Sequence, residues 1–468
     1  MMIKVITYLL LMQKVDGISV SDSLDGLKKV QPVIGSDIFD VVVDYGAVGD
    51  GKTDDTDALQ AALDDCAASR NGGGIIKLLK GYEFLSLPLT LSGSGCALKI
   101  EGKLTQKFWQ PSMSQGDIPE AFITVSDGVS DFLIYGGGII NGNGPTWWNS
   151  SGDTYANRPK LLDAKATNVA LYDIQFYNSA NHNLEMYCDN TEIAFVNITV
   201  DWDINDGDAP NTDGIDVHGA PFYIHDCIID VGDDNIAIHA SDLLVENCVF
   251  GSEDGPDNAV HGHGVSIGSI GSNIYLSNIT LRNSIFKHTH VGPNCKIHSD
   301  ATNGHIHDVL YENLIIDSAQ LEGLRINVEY SLSQSQQSKP FVLNDFTYKN
   351  ITMINTDVPG TFVCSDQKPC LDMHFIHITA QGNSEDDWSC SHLYGTQDSV
   401  SPKICVQSGF PSSYSYSFSY PVDDTYQDAN KKELDTLPSN TVDNEISYIP
   451  ETNPRLRSSF FDAKKNIS

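Results

Sequence analysis

Positive charge is scarce in this sequence. Its 468 residues include 28 Lys and Arg against 62 Asp and Glu, a formal net charge of −34. Phosphate backbones and anionic lipid surfaces are bound by basic patches, so this balance argues against nucleic acid and membranes as partners. Net charge does not restrict the fold, and 40% hydrophobic residues suit a folded core.

Features of two other protein classes are also missing. The ten cysteines include no CxxC pair, which argues against a zinc ribbon. No apolar stretch is long enough to span a bilayer. The apolar run near the N-terminus, residues 5–12, follows Lys4 and precedes the small residues Gly17 and Ser19, which is typical of a secretory signal peptide over residues 1–19.

Sequons and cysteine spacing agree with a secreted, extracellular protein. Five N-x-S/T sequons begin at Asn149, Asn197, Asn278, Asn350 and Asn466. An oxidising compartment permits disulfides, and two pairs are close enough in sequence for local bridges: Cys364 with Cys370, and Cys390 with Cys405. Cys227 and Cys248 are expected to be buried free thiols, with a bridge inside the fold as the alternative.

One amphipathic helix is predicted near the N-terminus. Residues 39–51 read FDVVVDYGAVGDG, a β-forming stretch and a glycine-rich turn. In the segment that follows, residues 53–55 offer N-caps. Apolar residues then recur at helical spacing: Leu59, Ala62, Leu63 and Cys66. The Asn-Gly-Gly-Gly sequence at 71–74 ends the helix.

After residue 90 the sequence repeats short apolar runs flanked by Asn, Asp, Ser or Gly. Seven such runs start at residues 168, 190, 220, 241, 272, 303 and 344, at irregular spacings of 21 to 41 residues. Strand-length units that cannot bury an apolar face alone are typical of a solenoid. We therefore predict an all-β, single-stranded right-handed parallel β-helix over residues 39–407, with the helix covering its open end. A β-propeller is the alternative, but its blades are longer and more regular.

The last part of the chain has a different composition. From about residue 408 it is rich in Ser, Tyr and Pro and then loses all periodicity. We predict that residues 408–468 form a mobile, low-complexity tail. A final strand crossing the stack is the weaker alternative.

Four polar motifs lie on consecutive units of this pattern. They are Asn211-Thr212-Asp213-Gly214, Gly232-Asp233-Asp234-Asn235, Gly262-His263-Gly264 and Lys296-Ile297-His298. Residues one coil apart lie about 4.8 Å from each other, so Asp213, Asp233 or Asp234, and His263 are expected on one face. Paired carboxylates are what glycoside hydrolysis requires, because one protonates the leaving oxygen while the other activates water or attacks.

Taken one at a time, these residues are also typical of coil corners. Asp216 and Asp226 are assigned to turns or to capping hydrogen bonds, and five histidines to the surface or to stacked ladders: His218, His225, His239, His305 and His307. The GVSIG sequence at 264–268 lacks the helix that a nucleophile elbow needs. The pair His261-x-His263 has no third metal-ligand pattern, so no metal or other cofactor is expected.

The order of the four motifs resembles the polygalacturonases of glycoside hydrolase family 28. Further similarity is seen in VDYGAVGDGKTDDTDALQAAL from residue 43, GNGPTWW at 142–148, Arg158-Pro159 and the C-terminal cysteines, so that the resemblance covers residues 39–407. It implies an inverting, metal-independent hydrolase that cleaves α-1,4-galacturonosyl bonds of pectin in the cell wall.

The resemblance also implies roles for individual residues. Asp233 matches the general acid, and Asp213 and Asp234 match the pair that orients and deprotonates water. His263 matches a histidine beside the acid, Asn211 a residue that fixes its neighbours or a sugar hydroxyl, and Tyr330 a substrate-site tyrosine. Neighbouring strand residues point to opposite faces, so Asp233 and Asp234 can act together only if the chain bends, which Gly232 allows.

The basic triplet departs from the family. The family has Arg-Ile-Lys, two cations that hold the galacturonate carboxylate, so the resemblance assigns Lys296 and His298 of Lys296-Ile297-His298 to substrate binding. Lys lacks the bidentate fork of Arg, and His298 is expected to be cationic only at mildly acidic pH. Arg325, about one coil later, is a candidate substitute for the missing guanidinium. Its alternative role is a surface residue beside Glu322 or Glu329. Without compensation, a methylated or xylose-substituted galacturonan becomes the expected substrate.

Two rivals to the hydrolase remain open at this point. A pectin-type lyase on the same scaffold would abstract a proton with a basic residue, often with calcium. A non-catalytic pectin-binding homologue would retain the fold but not the reaction. The sequence does not distinguish endo from exo attack, and a monomer is the default expectation.

Overall fold

The chain coils into a stack of short parallel strands. The computed structural model describes residues 30–108, 121–148, 158–201, 209–253, 261–330, 341–382 and 388–409. Within these ranges 31 strands form one continuous sheet, and every strand pairing is parallel. The right-handed parallel β-helix expected from the repeats is confirmed. The predicted signal peptide, the sequons at Asn149 and Asn466, and the tail after residue 409 lie outside the described residues.

The strands are short and follow one another closely along the chain. The first nine, with the helices α1 (Thr56–Ala68) and α2 (Gly144–Trp148) among and after them, are β1 (Asp37–Asp40), β2 (Asp50–Asp54), β3 (Gly74–Leu78), β4 (Glu83–Ser86), β5 (Leu89–Leu91), β6 (Cys96–Ile100), β7 (Lys103–Gln106), β8 (Ala121–Tyr135) and β9 (Ile139–Asn141). The next eleven are β10 (Lys160–Tyr177), β11 (Leu184–Met186), β12 (Asp189–Thr199), β13 (Ile215–Val217), β14 (Phe222–His225), β15 (Ile228–Asp230), β16 (Ile236–Ile238), β17 (Leu243–Glu246), β18 (Val249–Gly251), β19 (Val265–Ile270) and β20 (Tyr275–Leu276). The last eleven are β21 (Ile279–Arg282), β22 (Ile285–Lys287), β23 (Pro293–His298), β24 (Gly304–Ile306), β25 (Val309–Asp317), β26 (Glu322–Tyr330), β27 (Phe341–Ile354), β28 (Val358–Val363), β29 (Cys370–Gln381), β30 (Ser389–Ser391) and β31 (Leu393–Ser401).

One face of the coil carries the polar motifs, and we call it the cleft sheet. It runs through β10, β11, β13, β16, β19, β23, β26 and β28 in the order of pairing. Its inward residues stack apolar on apolar through Met186, Val217, Ile238, Ile267, Cys295, Ile326 and Phe362. All seven are fully buried. Their neighbours in sequence point outward, so the same register lines up the polar residues of the opposite side.

Asparagine and aspartate line one corner of the coil. Here the backbone turns through positive φ at Asp173, Phe195, Asp226, Asn247, Asn283, Asn313 and Asn350. Asn and Asp tolerate this left-handed region better than other residues with a side chain. The amides also bond from coil to coil. Asn313 Nδ2 donates to Asn283 Oδ1 at 3.1 Å, and Asn350 Nδ2 donates to Asn313 Oδ1 at 3.0 Å.

Helix α1 covers the N-terminal end of the stack. Its buried residues are Leu59, Ala62, Leu63 and Cys66, as the helical spacing predicts. Asp55 occupies the N-cap position but does not cap the helix; its carboxylate accepts hydrogen bonds from the backbone of Val48 and Gly49 at 2.7 and 3.1 Å. The loop before the helix is therefore fixed by Asp55, because two backbone donors point at its side chain.

The cysteine predictions are confirmed, and one bridge is added. Disulfides join Cys364 to Cys370 and Cys390 to Cys405, while Cys227 and Cys248 are buried free thiols. A third disulfide, Cys66–Cys96, ties α1 to β6. Its partners are 30 residues apart, and the sequence offered no reason to pair them. In the described ranges no helix is long and apolar enough to cross a membrane.

The corner ladder predicts a graded loss of stability. Replacing Asn313 with Ala should cost about 2 to 3 kcal/mol, because the left-handed backbone is strained in Ala and two amide bonds are lost. Replacing Asn313 with Gly should cost about 1 to 2 kcal/mol, since Gly accepts positive φ and loses only the bonds and some chain entropy. Urea denaturation of both variants measures this difference, and equal losses would show that backbone conformation does not matter here.

Candidate active site

Two turns at one end of the cleft sheet present the carboxylates. Asp213 precedes β13, while Asp233 and Asp234 lie between β15 and β16. The turns are locked together, because Gly232 N donates to Thr212 Oγ1 at 2.8 Å. Any side chain at Gly232 would meet the carbonyl oxygen of Ala209, which a Cβ would approach to 2.0 Å. Glycine is therefore required for the close approach of these two coils.

The bend after Gly232 turns both aspartates toward the cleft. Asp233 Oδ1 lies 2.9 Å from His263 Nδ1 of the next coil, and its other oxygen accepts from Asn211 Nδ2 at 3.4 Å. Asp234 accepts from Ser266 Oγ at 2.8 Å and from Lys296 Nζ at 2.5 Å. The bend that Asp233 and Asp234 need in order to face the same side is therefore present.

Asn235, the last residue of the same motif, points inward and is fully buried. Its amide donates to the carbonyls of Ile229 and His261 at 2.9 and 3.2 Å and accepts from Gly264 N at 3.0 Å. Because all of these partners are backbone groups on either side of the bend, Asn235 fixes the position of both turns.

Burial and charge set the protonation of the three carboxylates. Burial, together with the charges of Asp233 and Asp216, raises the pKa of Asp213 well above its usual value, although the His182 cation opposes this. Burial likewise raises the pKa of Asp234 despite Lys296. For Asp233 burial also acts upward, but the hydrogen bond and charge of His263 outweigh it and lower the pKa.

His263 is held between its carboxylate and a second imidazole. Burial acts to lower its pKa, but the hydrogen bond and charge of Asp233 raise it overall. The ring stacks on His290 with centroids 4.7 Å apart and planes at 4°. Burial and the adjacent His263 lower the pKa of His290 to about 4, so His290 is neutral where His263 is cationic.

The basic triplet does not act as a unit in this structure. Lys296 is buried and reaches Asp234, and its Nζ lies 5.6 Å from the centroid of the Tyr330 ring. His298 lies farther along β23 and packs edge-on against Tyr330 at 5.9 Å. Asn294, two residues before Lys296 on β23, donates to Ser266 Oγ at 3.2 Å. Asn294 and Ser266 were not picked out from the sequence, although alternation along β23 places Asn294 beside Lys296.

Arg325 lies in the same outward row. It is the register partner of Asn294 on the next coil, and its positive charge contributes to the lowered pKa of His290. Its Nε is 3.4 Å from Glu322 Oε2, so the pair with Glu322 considered as the alternative is also present. The side chain is 28% exposed. Arg325 thus borders the cleft and is not buried in a fixed ion pair.

A second polar group, which the sequence did not predict, lies on the N-terminal side of the carboxylates. His182 Nδ1 is 3.0 Å from Glu185 and 3.2 Å from Asp216, and its Nε2 is 3.5 Å from Asp213. The assignment of Asp216 to a turn or a capping hydrogen bond is wrong. Asp216 lies on β13, and its outward side chain is buried because it faces His182. His218 bonds Glu185 at 3.2 Å.

The prediction of stacked histidine ladders is partly correct. His218 stacks on His239 with ring centroids 4.7 Å apart, and Tyr187 stacks on the other side of His218 at 4.2 Å. His225, by contrast, is buried in contact with Glu192 and Asp226 on another face. A ring ladder forms where the register places aromatic residues on successive coils of the cleft sheet.

Several groups have the donor atoms of a metal site. Among the described residues, four sets bring three ligand atoms within 4.8 Å of one another: Asp216/His218/His239, His182/Glu185/Asp216, Asp233/Asp234/His263 and Asp345/Asp372/His374. The carboxylates of Glu185, Asp233 and Asp234 already contact His or Lys side chains. A metal ion at the cleft would have to displace these cations, so the donor sets do not favour one.

The sequence is similar to that of known proteins over most of its length. The family model for glycosyl hydrolases family 28 matches residues 77–400, and a model named rhamnogalacturonase A/epimerase, pectate lyase-like, matches residues 39–85. Polygalacturonase ADPG1 of Arabidopsis thaliana is 30% identical over 385 residues, which cover 77% of this chain and 84% of the relative.

Solved structures share the architecture. The polygalacturonase from Erwinia carotovora ssp. carotovora has a TM-score of 0.61 at 22% identity, over 80% of this chain and 100% of that chain. The endo-xylogalacturonan hydrolase from Aspergillus tubingensis has a TM-score of 0.59 at 19% identity, over 80% of this chain and 99% of that chain. At these identities the likeness extends to the fold alone.

Removing Lys296 should show how much the stability of the protein depends on the ion pair between Lys296 and Asp234. Lys296→Met should lower the free energy of unfolding by about 3 kcal/mol at pH 7, because it leaves Asp234 buried without its cation. The loss of Lys296 raises the folded-state pKa of Asp234 further above the unfolded value. The loss of stability in Lys296→Met should therefore become smaller as the pH falls toward 4.5, because Asp234 then binds a proton.

Urea denaturation at the two pH values measures this effect. The matched control is the double variant Lys296→Met/Asp234→Asn, which removes both charges and should be more stable at pH 7 than Lys296→Met alone. Equal stability of the single and double variants would mean that the ion pair contributes nothing.

Proposed function

The chain belongs to glycoside hydrolase family 28 and is a glycosidase, and from this premise we propose that it is a secreted enzyme that hydrolyses α-1,4-galacturonosyl bonds of pectin with inversion and without metal. One observation carries the proposal: Asp213, Asp233 and Asp234 meet in a cleft bordered by Lys296 and Arg325. The carboxylates suit acid–base hydrolysis of a glycosidic bond, and the cations suit an acidic sugar.

Asp233, in this proposal, protonates the leaving oxygen. It is the most exposed of the three carboxylates, with 21% of its side chain accessible, so a sugar can reach it. In the free site its lowered pKa places the shared proton on His263. As the glycosidic bond breaks, the proton of His263 passes to Asp233 across their 2.9 Å contact, and Asp233 gives this proton to the leaving oxygen.

Asp213 and Asp234 then activate the water. Water attacks the anomeric carbon on the face opposite to the leaving oxygen, forming the new C–O bond as the glycosidic bond breaks. A proton of the water passes to Asp213. Asp234, which is held by Ser266 and Lys296, orients the water. A carboxylate that activates water and an acid that protonates the leaving oxygen on the opposite face are what inversion requires.

Substrate binding is assigned to the residues around this centre. Arg325 contacts the sugar carboxylate, because Lys296 is already committed to Asp234. Tyr330, the last residue of β26, and His298, the last residue of β23, pack against each other and supply a ring face and a donor. Asn211 fixes Asp233 and is itself held by Arg158, whose guanidinium donates to Asn211 Oδ1 at 3.1 Å.

The first experiment measures reducing-end release from polygalacturonate and from highly methylated pectin, at pH 4 to 7 and with chelator present. Release from polygalacturonate that survives chelation supports the proposal. Release only from methylated pectin would move the substrate to a modified galacturonan. Ultraviolet absorbance from an unsaturated product would indicate a lyase, and binding without release a non-catalytic homologue.

Asp233→Asn should lower hydrolysis of polygalacturonate by about 10²- to 10⁴-fold while binding survives, because the amide cannot give a proton to the leaving oxygen. Reducing-end assays and pull-down on insoluble pectate measure the two effects. Asp226→Asn is the matched control, since Asp226 lies at the asparagine corner on another face and Asn accepts its positive φ. Equal activity of the two variants would contradict the role of Asp233.

Arg325→Gln should raise KM for polygalacturonate about tenfold and leave KM for highly methylated pectin nearly unchanged, because only the first substrate offers a carboxylate at every sugar. Steady-state kinetics on both substrates separate these effects. Arg282→Gln is the matched control, because Arg282 makes the same Nε–Glu contact on a different face at 2.7 Å. A uniform loss on both substrates would assign Arg325 to structure instead.

A further inference from the structure

Each of the three carboxylates in the cleft faces one cation from a neighbouring position. Asp234 faces Lys296 at 2.5 Å, and Asp233 faces His263 at 2.9 Å. The partner of Asp213 is His182, whose Nε2 is 3.5 Å from Asp213 Oδ1. The first two pairs belong to the motifs described above, whereas His182 lies on the preceding coil and outside all of them.

We propose that His182 is a positioning residue whose positive charge, fixed by Glu185 and Asp216, favours the carboxylate form of Asp213, which is the form that accepts the proton of the attacking water. The proposal rests on the proposed hydrolysis by Asp213, Asp233 and Asp234. It adds a group that touches Asp213 but neither the sugar nor the water.

The geometry gives His182 two separate functions. Its Nδ1 lies between Glu185 Oε2 at 3.0 Å and Asp216 Oδ2 at 3.2 Å, so this nitrogen is turned away from the catalytic centre. Its Nε2 is directed at Asp213. A ring held at one nitrogen by two carboxylates presents the other nitrogen in a fixed orientation.

The surrounding charges keep the imidazole protonated. Burial alone would favour the neutral ring, but the hydrogen bonds to Asp216 and Glu185 and the charge of Asp213 raise the pKa of His182 to about 11. Glu185 stays ionised, because His182 and His218 bond it and Lys160 lies 3.3 Å away. The raised pKa therefore favours the cationic form of His182 at acidic and neutral pH.

Burial and neighbouring negative charges act against the ionised form of Asp213. It is buried, and the largest charge effects on it come from the carboxylates of Asp216, Asp233 and Asp234 and from the cation His182. Three negative charges and burial all favour the protonated acid, which cannot accept a proton from water. The charge of His182 opposes these effects and favours the ionised form.

The experiment compares pH profiles of kcat/KM on polygalacturonate for the parent enzyme and His182→Gln. Without the cation the pKa of Asp213 rises, so the acidic limb of the profile should move upward by about one pH unit or more. Activity at pH 4.5 should fall at least about tenfold and recover as the pH rises toward 7. His182→Lys, which retains a cation, should return the limb toward the parent position.

His218→Gln is the matched control. His218 makes the same kind of contact with Glu185, at 3.2 Å, but no contact with Asp213 is present. The acidic limb of the pH profile of His218→Gln should have the same position as in the parent enzyme. A purely structural role for His182 would lower activity equally at every pH and would not be rescued by Lys, and either result overturns the proposal.

A second measurement keeps this inference separate from the proposed function. In protein labelled with ¹³C at aspartate carboxyls, the Asp213 signal is identified by its absence in Asp213→Asn and then titrated in the parent and in His182→Gln. An upward shift in His182→Gln supports the role of His182 even if the parent does not hydrolyse galacturonan. Unchanged titration in an active enzyme overturns the inference while the hydrolase stands.

Discussion

The hydrogen-bonded register between parallel coils is the constraint on which the rest of this molecule depends. It places each residue about 4.8 Å from the residue one coil later, regardless of the length of chain between them. On the inner side the register stacks apolar on apolar, as in the row from Met186 to Phe362. On the outer side it brings side chains from separate motifs into contact, including Asp233 with His263 and Asn294 with Arg325.

The same constraint explains how much the sequence could predict. The β-helix, the buried face of α1 and the meeting of Asp213, Asp233, Asp234 and His263 follow from motif order and coil spacing alone. Finer features depend on where each strand begins. Lys296 and His298 are two residues apart, which places them on one face of a regular strand. The register shifts between them, so Lys296 contacts Asp234 while His298 packs against Tyr330.

The features that sequence analysis missed either lie next to a turn motif or have no motif of their own. Asp216 comes three residues after Asp213 and reads as part of the same turn, but β13 begins at Ile215 and turns it to His182. His182 itself has no motif around it. The bridge from Cys66 to Cys96 joins a helix to a strand, and no spacing rule connects those two elements.

Pairing between equivalent strands does not depend on the length of the coil that separates them. Ile215 pairs with Ile236 and Ile236 with Val265, although the second coil is longer than the first. Extra residues leave the stack at a turn and return to it without moving the next strand. Evolution can therefore lengthen a turn beside the cleft by insertion while Asp213, Asp233 and His263 keep their places. In this architecture, the length of a turn and the placement of the catalytic side chains can change independently of each other.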